Sequence, residues 1–266
     1  MLATDLALAL DPALILERQG LDPDPWQAGL LRSAAAQTLL LTTRQAGKST
    51  TVAALALHTA LYQPGALVLL LAPALRQSQE LFLKVMQGYT ALDKPVPERE
   101  ASALRLTLAN GSRIVALPGT EATVRGFSGA SLLIIDEAAR VMDDLYYSVR
   151  PILAVSGGRL VALSTPFGQR GWFYSAWHEG DVAWRRIKVT AYDCPRISPA
   201  FLAQERQALG ERWFNQEYLC SFEDTVGQVF SSESIFAAVS DAVLPLFGAA
   251  PPMEGDWDVQ PLFGRP

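Results

Sequence analysis

The apolar run Leu39-Leu40-Leu41 leads into Thr42-Thr43-Arg44-Gln45-Ala46-Gly47-Lys48-Ser49, and a helical pattern follows from Thr50 to Leu61. Consecutive leucines ahead of a polar loop predict a strand buried on both faces, so the sheet it joins must be covered on both sides. Gly-Lys-Ser between a strand and a helix is the setting that gives a phosphate-loop motif its chemistry. Backbone N–H groups of the turn and the positive end of the helix cradle phosphate oxygens. Gln45, Ala46, Gly47, Lys48, Ser49 and Thr50 are therefore the predicted phosphate-binding residues. Lys48 can reach the β/γ-phosphate oxygens of ATP, and the Ser49 hydroxyl can ligate Mg²⁺. The loop departs from the usual GxxxxGK[ST] pattern in having Thr42 where glycine is expected, and it carries Arg44 inside the turn.

Further apolar runs alternate with helical patterns. Strands are predicted at Val68 to Ala72, Leu132 to Ile135, Leu160 to Ser164 and Trp184 to Thr190. Leu104 to Leu108 and Ser112 to Leu117 flank Asn110-Gly111, a hairpin signal. Helices are predicted at Leu14 to Arg18, at Trp26 to Ser33 with Asp24 as N-cap and Pro25 at the first position, and at Gln77 to Gly88. Two more follow, Ser198 to Leu209 and Glu211 to Tyr218. This alternation predicts an α/β fold with a mostly parallel sheet flanked by helices. Ligands of such sheets bind beyond the carboxyl ends of the strands. The phosphate loop, Asp136-Glu137 and Ser164-Thr165 all fall at those ends.

Leu132-Leu133-Ile134-Ile135-Asp136-Glu137 is a Walker B pattern. Asp136 is placed to join Ser49 in the Mg²⁺ shell, and Glu137 to polarise the attacking water. A hydroxyl in the Ser164-Thr165-Pro166 turn can sense the γ-phosphate and pass its loss to neighbouring elements, although the same residues also suit a plain strand-ending turn. Arg44 and Arg125 are candidate cations for the charge that develops on a transferring phosphoryl group, in cis or from a neighbouring subunit. An exposed surface arginine is the alternative for each. Gln27 can read an adenine edge or simply be a solvated helix residue beside a core Trp26.

Composition narrows the classes. Charged residues make up 18% of the chain and apolar ones 50%, which argues for a packed core and against disorder. The net charge of −5 counts against a surface that binds nucleic acid as a whole, but not against a local basic patch. No apolar run reaches the ~18 residues of a bilayer span, so no membrane partner is expected. Met1 to Leu10 lacks a basic leader and is interrupted by Asp5, so no signal peptide is read there. Two cysteines without a CxxC spacing, Cys194 and Cys220, and two histidines count against structural zinc and suit a reducing compartment.

The motif set as a whole resembles the ATPase domain of tailed-phage large terminases, the motors that package DNA into procapsids. The resemblance rests on Arg44-Gln45-Ala46-Gly47-Lys48-Ser49, on Ala72-Pro73 with Gln77, on Arg125-Gly126 and on Ile135-Asp136-Glu137-Ala138-Ala139. It continues through Ser164-Thr165-Pro166-Phe167-Gly168, Gly171-Trp172-Phe173-Tyr174, Glu217-Tyr218-Leu219-Cys220-Ser221-Phe222 and Val229-Phe230, covering roughly residues 20 to 235. It implies a P-loop NTPase fold of the RecA-like (ASCE) type over residues 1–190, a small lid or linker subdomain over 191–240, and a linker or disordered tail over 241–266. It implies Glu137 as the catalytic carboxylate, Arg44 as a cis arginine or switch, Arg125 as an arginine inserted from a neighbouring subunit, Gln27 on the adenine side, and Ser164 and Thr165 in a coupling motif. It also implies that Arg105, at the start of the hairpin, faces DNA. The implied partners are double-stranded DNA, a portal protein, a small terminase subunit and further copies of the chain in a ring, in the host bacterial cytoplasm. The RNase H-like nuclease domain of complete large terminases is not expected in this chain. Asp256 and Asp258 lack an apolar strand to hold them. Two alternatives stay open: another nucleic-acid-dependent P-loop ATPase of helicase type, and a nucleotide-binding assembly module without turnover.

Overall fold

The computed structural model describes residues 2–119, 124, 126–180 and 182–223, with side chains from residue 4 onward. These lie within one compact unit that spans residues 1–225. Among the described residues the strands are β1 (Gln37–Thr42), β2 (Leu67–Ala72), β3 (Glu98–Ala101), β4 (Arg105–Leu108), β5 (Arg113–Pro118), β6 (Leu132–Asp136), β7 (Arg159–Ser164) and β8 (Trp184–Val189). They form a single sheet in the order β3-β4-β5-β2-β6-β7-β1-β8. From β5 to β8 every neighbouring pair is parallel, while β3 and β4 add an antiparallel edge.

The apolar runs read as strands because successive side chains enter two different cores. Leu40, Val68, Leu70, Ile134 and Val161 pack on one face with residues of α3 (Pro25–Leu31), α4 (Lys48–Tyr62) and α5 (Leu75–Ala91). Leu39, Leu41, Leu69, Leu71, Leu133 and Ile135 pack on the other, against α6 (Asp143–Val149) and α7 (Gly171–His178). A sheet covered on both faces has no polar side to show, which is why alternation is absent from these strands. On the second face Tyr146 and Trp172 stack at 3.8 Å between ring centroids.

Further helices among the described residues are α1 (Leu2–Leu10), α2 (Leu14–Arg18) and α8 (Pro199–Tyr218). The last is broken in its middle by Gly210, at φ 75° and ψ 163°, so the two predicted helices are present with the break where they were separated. Ala191, Leu202 and Phe214 form a small third core there. The predicted hairpin is also present: Gly111 takes φ 85°, and the Asn110 amide nitrogen donates to the carbonyls of Ala60 and Leu61 at the end of α4. Three features differ from expectation. α4 begins at Lys48, two residues early, because the left-handed Gly47 (φ 88°) starts the helix directly from the loop. α1 forms over a stretch read without structure. The sheet gains β3, four exposed residues whose composition carries no apolar signal. No helix among the described residues is long and apolar enough to cross a membrane.

Candidate active site

Three neighbouring parallel strands, β6, β7 and β1, end at the same edge, in register through Asp136 beside Leu163 and Ser164 beside Leu41. Their termini bring together the phosphate loop, the two acids and the Ser164-Thr165 turn, as the sequence implied. The loop runs over residues 43–47, and the N-terminus of α4 opens onto it. Ala46 is fully buried, whereas Arg44 and Gln45 are exposed, Gln45 with φ 59°. Thr42 completes β1 as a buried residue, and its hydroxyl has no hydrogen-bond partner among the described residues. The departure from glycine is thus absorbed by the strand, and the turn itself starts one residue later.

The loop faces both acids. The Lys48 ammonium lies 2.6 Å from Glu137 Oε1, and Ser49 Oγ donates to Asp136 Oδ2 at 3.2 Å. Burial pushes the Asp136 carboxyl up from its ordinary value, and the positive charge of Lys48 pulls against it. A hydroxyl and a carboxylate side by side make a hard oxygen pair, the donor set that Mg²⁺ takes beside phosphate. Glu137 adopts the left-handed region, at φ 49° and ψ 42°. For a residue with a Cβ this costs about 1–2 kcal/mol, the kind of strain that collects at functional sites. Arg140 holds the second oxygen of Glu137, with Nη1 3.0 Å from Oε2, and the same nitrogen lies 3.3 Å from Thr165 Oγ1. Thr165 is 2% exposed. Ser164 is fully buried, and its hydroxyl has no partner among the described residues.

Behind the loop, Gln27 is buried and held at both ends of its amide. Oε1 accepts from the Asp24 backbone N–H at 2.8 Å and Nε2 donates to Thr51 Oγ1 at 3.0 Å. One amide hydrogen and one carbonyl lone pair are left over for a ligand. Residues far along the chain complete the surround. Arg196 forms a two-pronged ion pair with Asp24 at 2.9 and 2.6 Å and reaches the Ala46 carbonyl at 3.4 Å. Arg44 is ion-paired with Glu217, whose carbonyl also accepts from the Thr43 hydroxyl at 2.8 Å. A cleft of about 280 Å³ opens beside the loop, lined by Arg44, Gln45, Arg196, Ile197, Phe201 and Tyr218.

Lys48, Ser49, Asp136, Glu137 and Thr165 are thus brought together within one hydrogen-bonded set. Arg44 turns to Glu217. Arg105 stands exposed at the start of β4, three strands from β6, or roughly 14 Å at the usual strand spacing. Arg125 lies outside the described residues, as do residues 224–266, which include Val229-Phe230, Asp256 and Asp258. Arg140, Arg196 and Thr51 were not expected at the site. Arg140 alone carries a sequence signal, its three-residue spacing from Glu137.

The family profile described as "Terminase large subunit, T4likevirus-type, N-terminal" matches residues 39–236, about three quarters of the chain. The large terminase subunit of Thermus phage G20c is 29% identical over 177 residues, which is 59% of this chain and 36% of that protein. That of Escherichia phage T5 is 30% identical over 152 residues, 54% of this chain and 34% of that one. The chain therefore spans about a third of the length of these curated relatives. Among solved structures, the Thermus phage P74-26 large terminase ATPase domain superposes with a TM-score of 0.69 at 22% identity, covering 78% of this chain and 96% of that one. The large terminase of a thermophilic bacteriophage, in complex with ADP, gives 0.62 at 12% identity, over 75% and 53%. The fold is accordingly that of a RecA-like P-loop ATPase domain, and by the profile match over most of its length the chain belongs to the large terminase family, in its T4-like-virus N-terminal class.

Proposed function

We propose that this chain is the ATP-hydrolysing motor domain of a phage large terminase and drives double-stranded DNA into a procapsid. The observation that carries the reading is the pairing of Lys48 with Glu137 and of Ser49 with Asp136 across the ends of β1 and β6. A phosphate-binding lysine and a water-activating carboxylate must converge on one γ-phosphate, and here they already touch. Ser49 and Asp136 would hold Mg²⁺, which supplies positive charge to the β- and γ-phosphate oxygens. The backbone N–H groups from Gln45 to Thr50 bind the phosphate chain. Lys48 leaves Glu137 for the β/γ oxygens, and the freed Glu137 oxygen orients a water for in-line attack. The cleft beside the loop, with the faces of Phe201 and Tyr218 and the cation of Arg196, suits a planar base, and Gln27 has one donor and one acceptor to add.

Arg125 is proposed to complete the site of a neighbouring copy in a ring, and Arg44 to act in cis or as a switch on the same nucleotide. Thr165 and Ser164 would pass phosphate release to the segment after Pro166. Residues 191–240 would serve as a lid or linker, and Arg105 would face DNA. The portal, the small terminase subunit and the host cytoplasm belong to the same reading. Its support is the family membership together with the site geometry. The test is ATP hydrolysis by Glu137→Ala, expected to fall by at least ~10²-fold while ATP binding persists. Equimolar mixing of Glu137→Ala with Arg125→Ala chains should restore part of the activity. Full activity in Glu137→Ala would overturn the mechanism, and absence of rescue would overturn the role of Arg125.

A further inference from the structure

Glu137 leaves β6 in the left-handed conformation, and residues 138–140 turn back in a single 3-10 turn closed by Arg140 N–H on the Glu137 carbonyl at 2.8 Å. That turn sets Arg140 beside the carboxylate three residues before it. The Arg140 guanidinium has three neighbours from two elements: Glu137 Oε2 at 3.0 Å, Thr165 Oγ1 at 3.3 Å, and the Phe167 ring, whose centroid lies 4.5 Å from the guanidinium carbon. The two oxygens of Glu137 are therefore held by different cations, Oε1 by Lys48 and Oε2 by Arg140. In the proposed reaction Lys48 moves to the phosphates, while Arg140 keeps its contacts with Glu137 and Thr165 at the ends of β6 and β7. A carboxylate that stays anchored by one oxygen keeps its other oxygen aimed. A free glutamate side chain would rotate about its own torsions.

We infer that Arg140 is a positioning residue that fixes Glu137 through Oε2 and, by its grip on Thr165 and Phe167, makes the aim of that carboxylate depend on where the end of β7 lies. The inference rests on the reading of this site as an ATP hydrolase. It gives the Thr165 segment an action backwards onto the chemical step, besides any forward action on DNA. Arginine suits the task because its planar fork can hold an oxygen, a hydroxyl and a ring face at once, which the point charge of lysine cannot. A misplacement of about 1 Å in a reacting group costs roughly 10²-fold in rate, so even a small shift of the segment gates turnover.

The test compares ATP turnover and fluorescent-ATP affinity for the unmodified chain, Arg140→Gln, Arg140→Lys, Thr165→Val and the pair Arg140→Gln/Thr165→Val. Protein concentrations are kept high enough for copies to associate. Arg140→Gln should lower kcat by roughly 10–10²-fold with KM and ATP affinity within about twofold, and Arg140→Lys should recover only part of the loss. Thr165→Val, which leaves the charge in place, should lower kcat severalfold alone and by less than about twofold in the Arg140→Gln background, because both act through one contact. Unchanged kcat in Arg140→Gln, equal losses in kcat and affinity, or multiplying effects of the two substitutions would overturn the positioning role while leaving the hydrolase reading intact. An unmodified chain that binds ATP but never turns it over would overturn both.

Discussion

Gly47→Ala tests whether the phosphate loop is held from behind. Gly47 has φ 88°, which costs alanine about 1–2 kcal/mol. The added methyl would also lie 2.8 Å from Gln27 Nε2, closer than carbon and nitrogen tolerate. A long side chain ordinarily gives way, but this one is buried and bonded at both ends, to Asp24 N–H and to the Thr51 hydroxyl. Retreat therefore breaks the bond to Thr51, a further loss of about 0.5–1.5 kcal/mol. The sum is about 2–3 kcal/mol, a large share of a typical domain stability of ~5–15 kcal/mol. In a Gln27→Ala background the clash is gone and only the backbone cost remains, so the same Gly47→Ala change should cost about 1 kcal/mol less. Urea unfolding of the parent, both single variants and the double variant, without nucleotide, measures this coupling directly. Equal costs of Gly47→Ala in the two backgrounds would refute the idea that Gln27 braces the loop, and would leave it the capping bond to Asp24 N–H and the proposed nucleotide contact.

Arg44 is paired with Glu217, yet its side chain is 64% exposed, so Arg44→Ala should change stability by no more than ~1 kcal/mol in thermal melts. If its role is at the nucleotide, the same variant should lose at least ~10-fold in hydrolysis, and unchanged turnover would reduce the loop to a plain phosphate cradle. His58 is pushed below its ordinary pKa by burial, against the pull of the backbone carbonyls of Ala9 and Leu8. The unfolded chain then takes up the proton first, so stability should fall as pH drops below about 6.5 and through the lower folded value. His58→Gln should flatten that part of a urea-midpoint profile, and an unchanged slope would assign the acid sensitivity to other groups.

The sheet and the chemistry at its edge were legible because both depend on local pattern. Runs such as Leu67–Ala72 and Leu132–Asp136 announce strands covered on both faces, and Gly-Lys-Ser and Asp-Glu mark the ends of two of them. Asn110-Gly111 and Gly210 announced a reversal and a break because each allows a backbone shape that few residues take. β3 was not legible: Glu98, Glu100 and Ala101 are exposed and pair only because β4 offers a free edge. The long-range ion pairs were equally hidden. Arg196 meets Asp24 across 172 residues and Arg44 meets Glu217 across 173, and sequence gives the charge of each without its partner. Arg140 fell between these cases: its spacing from Glu137 was visible, but its contact with Thr165 exists only because β6 and β7 lie side by side.

The two rims of the sheet bear on how copies of this chain can meet. Among the described residues one rim is β3, with Glu98, Arg99 and Glu100, and the other is β8, with the exposed Arg185 and Lys188. An open edge strand is a template for pairing with any other unpaired strand, and charged side chains along it are the common defence against aggregation. In the proposed ring, a chain brought against its own copies without fusing into a continuous sheet would gain from having both rims guarded in this way. Orderly self-association would then have to run through loops and helix faces, where shape selects the partner, and not through backbone pairing, which accepts almost any strand.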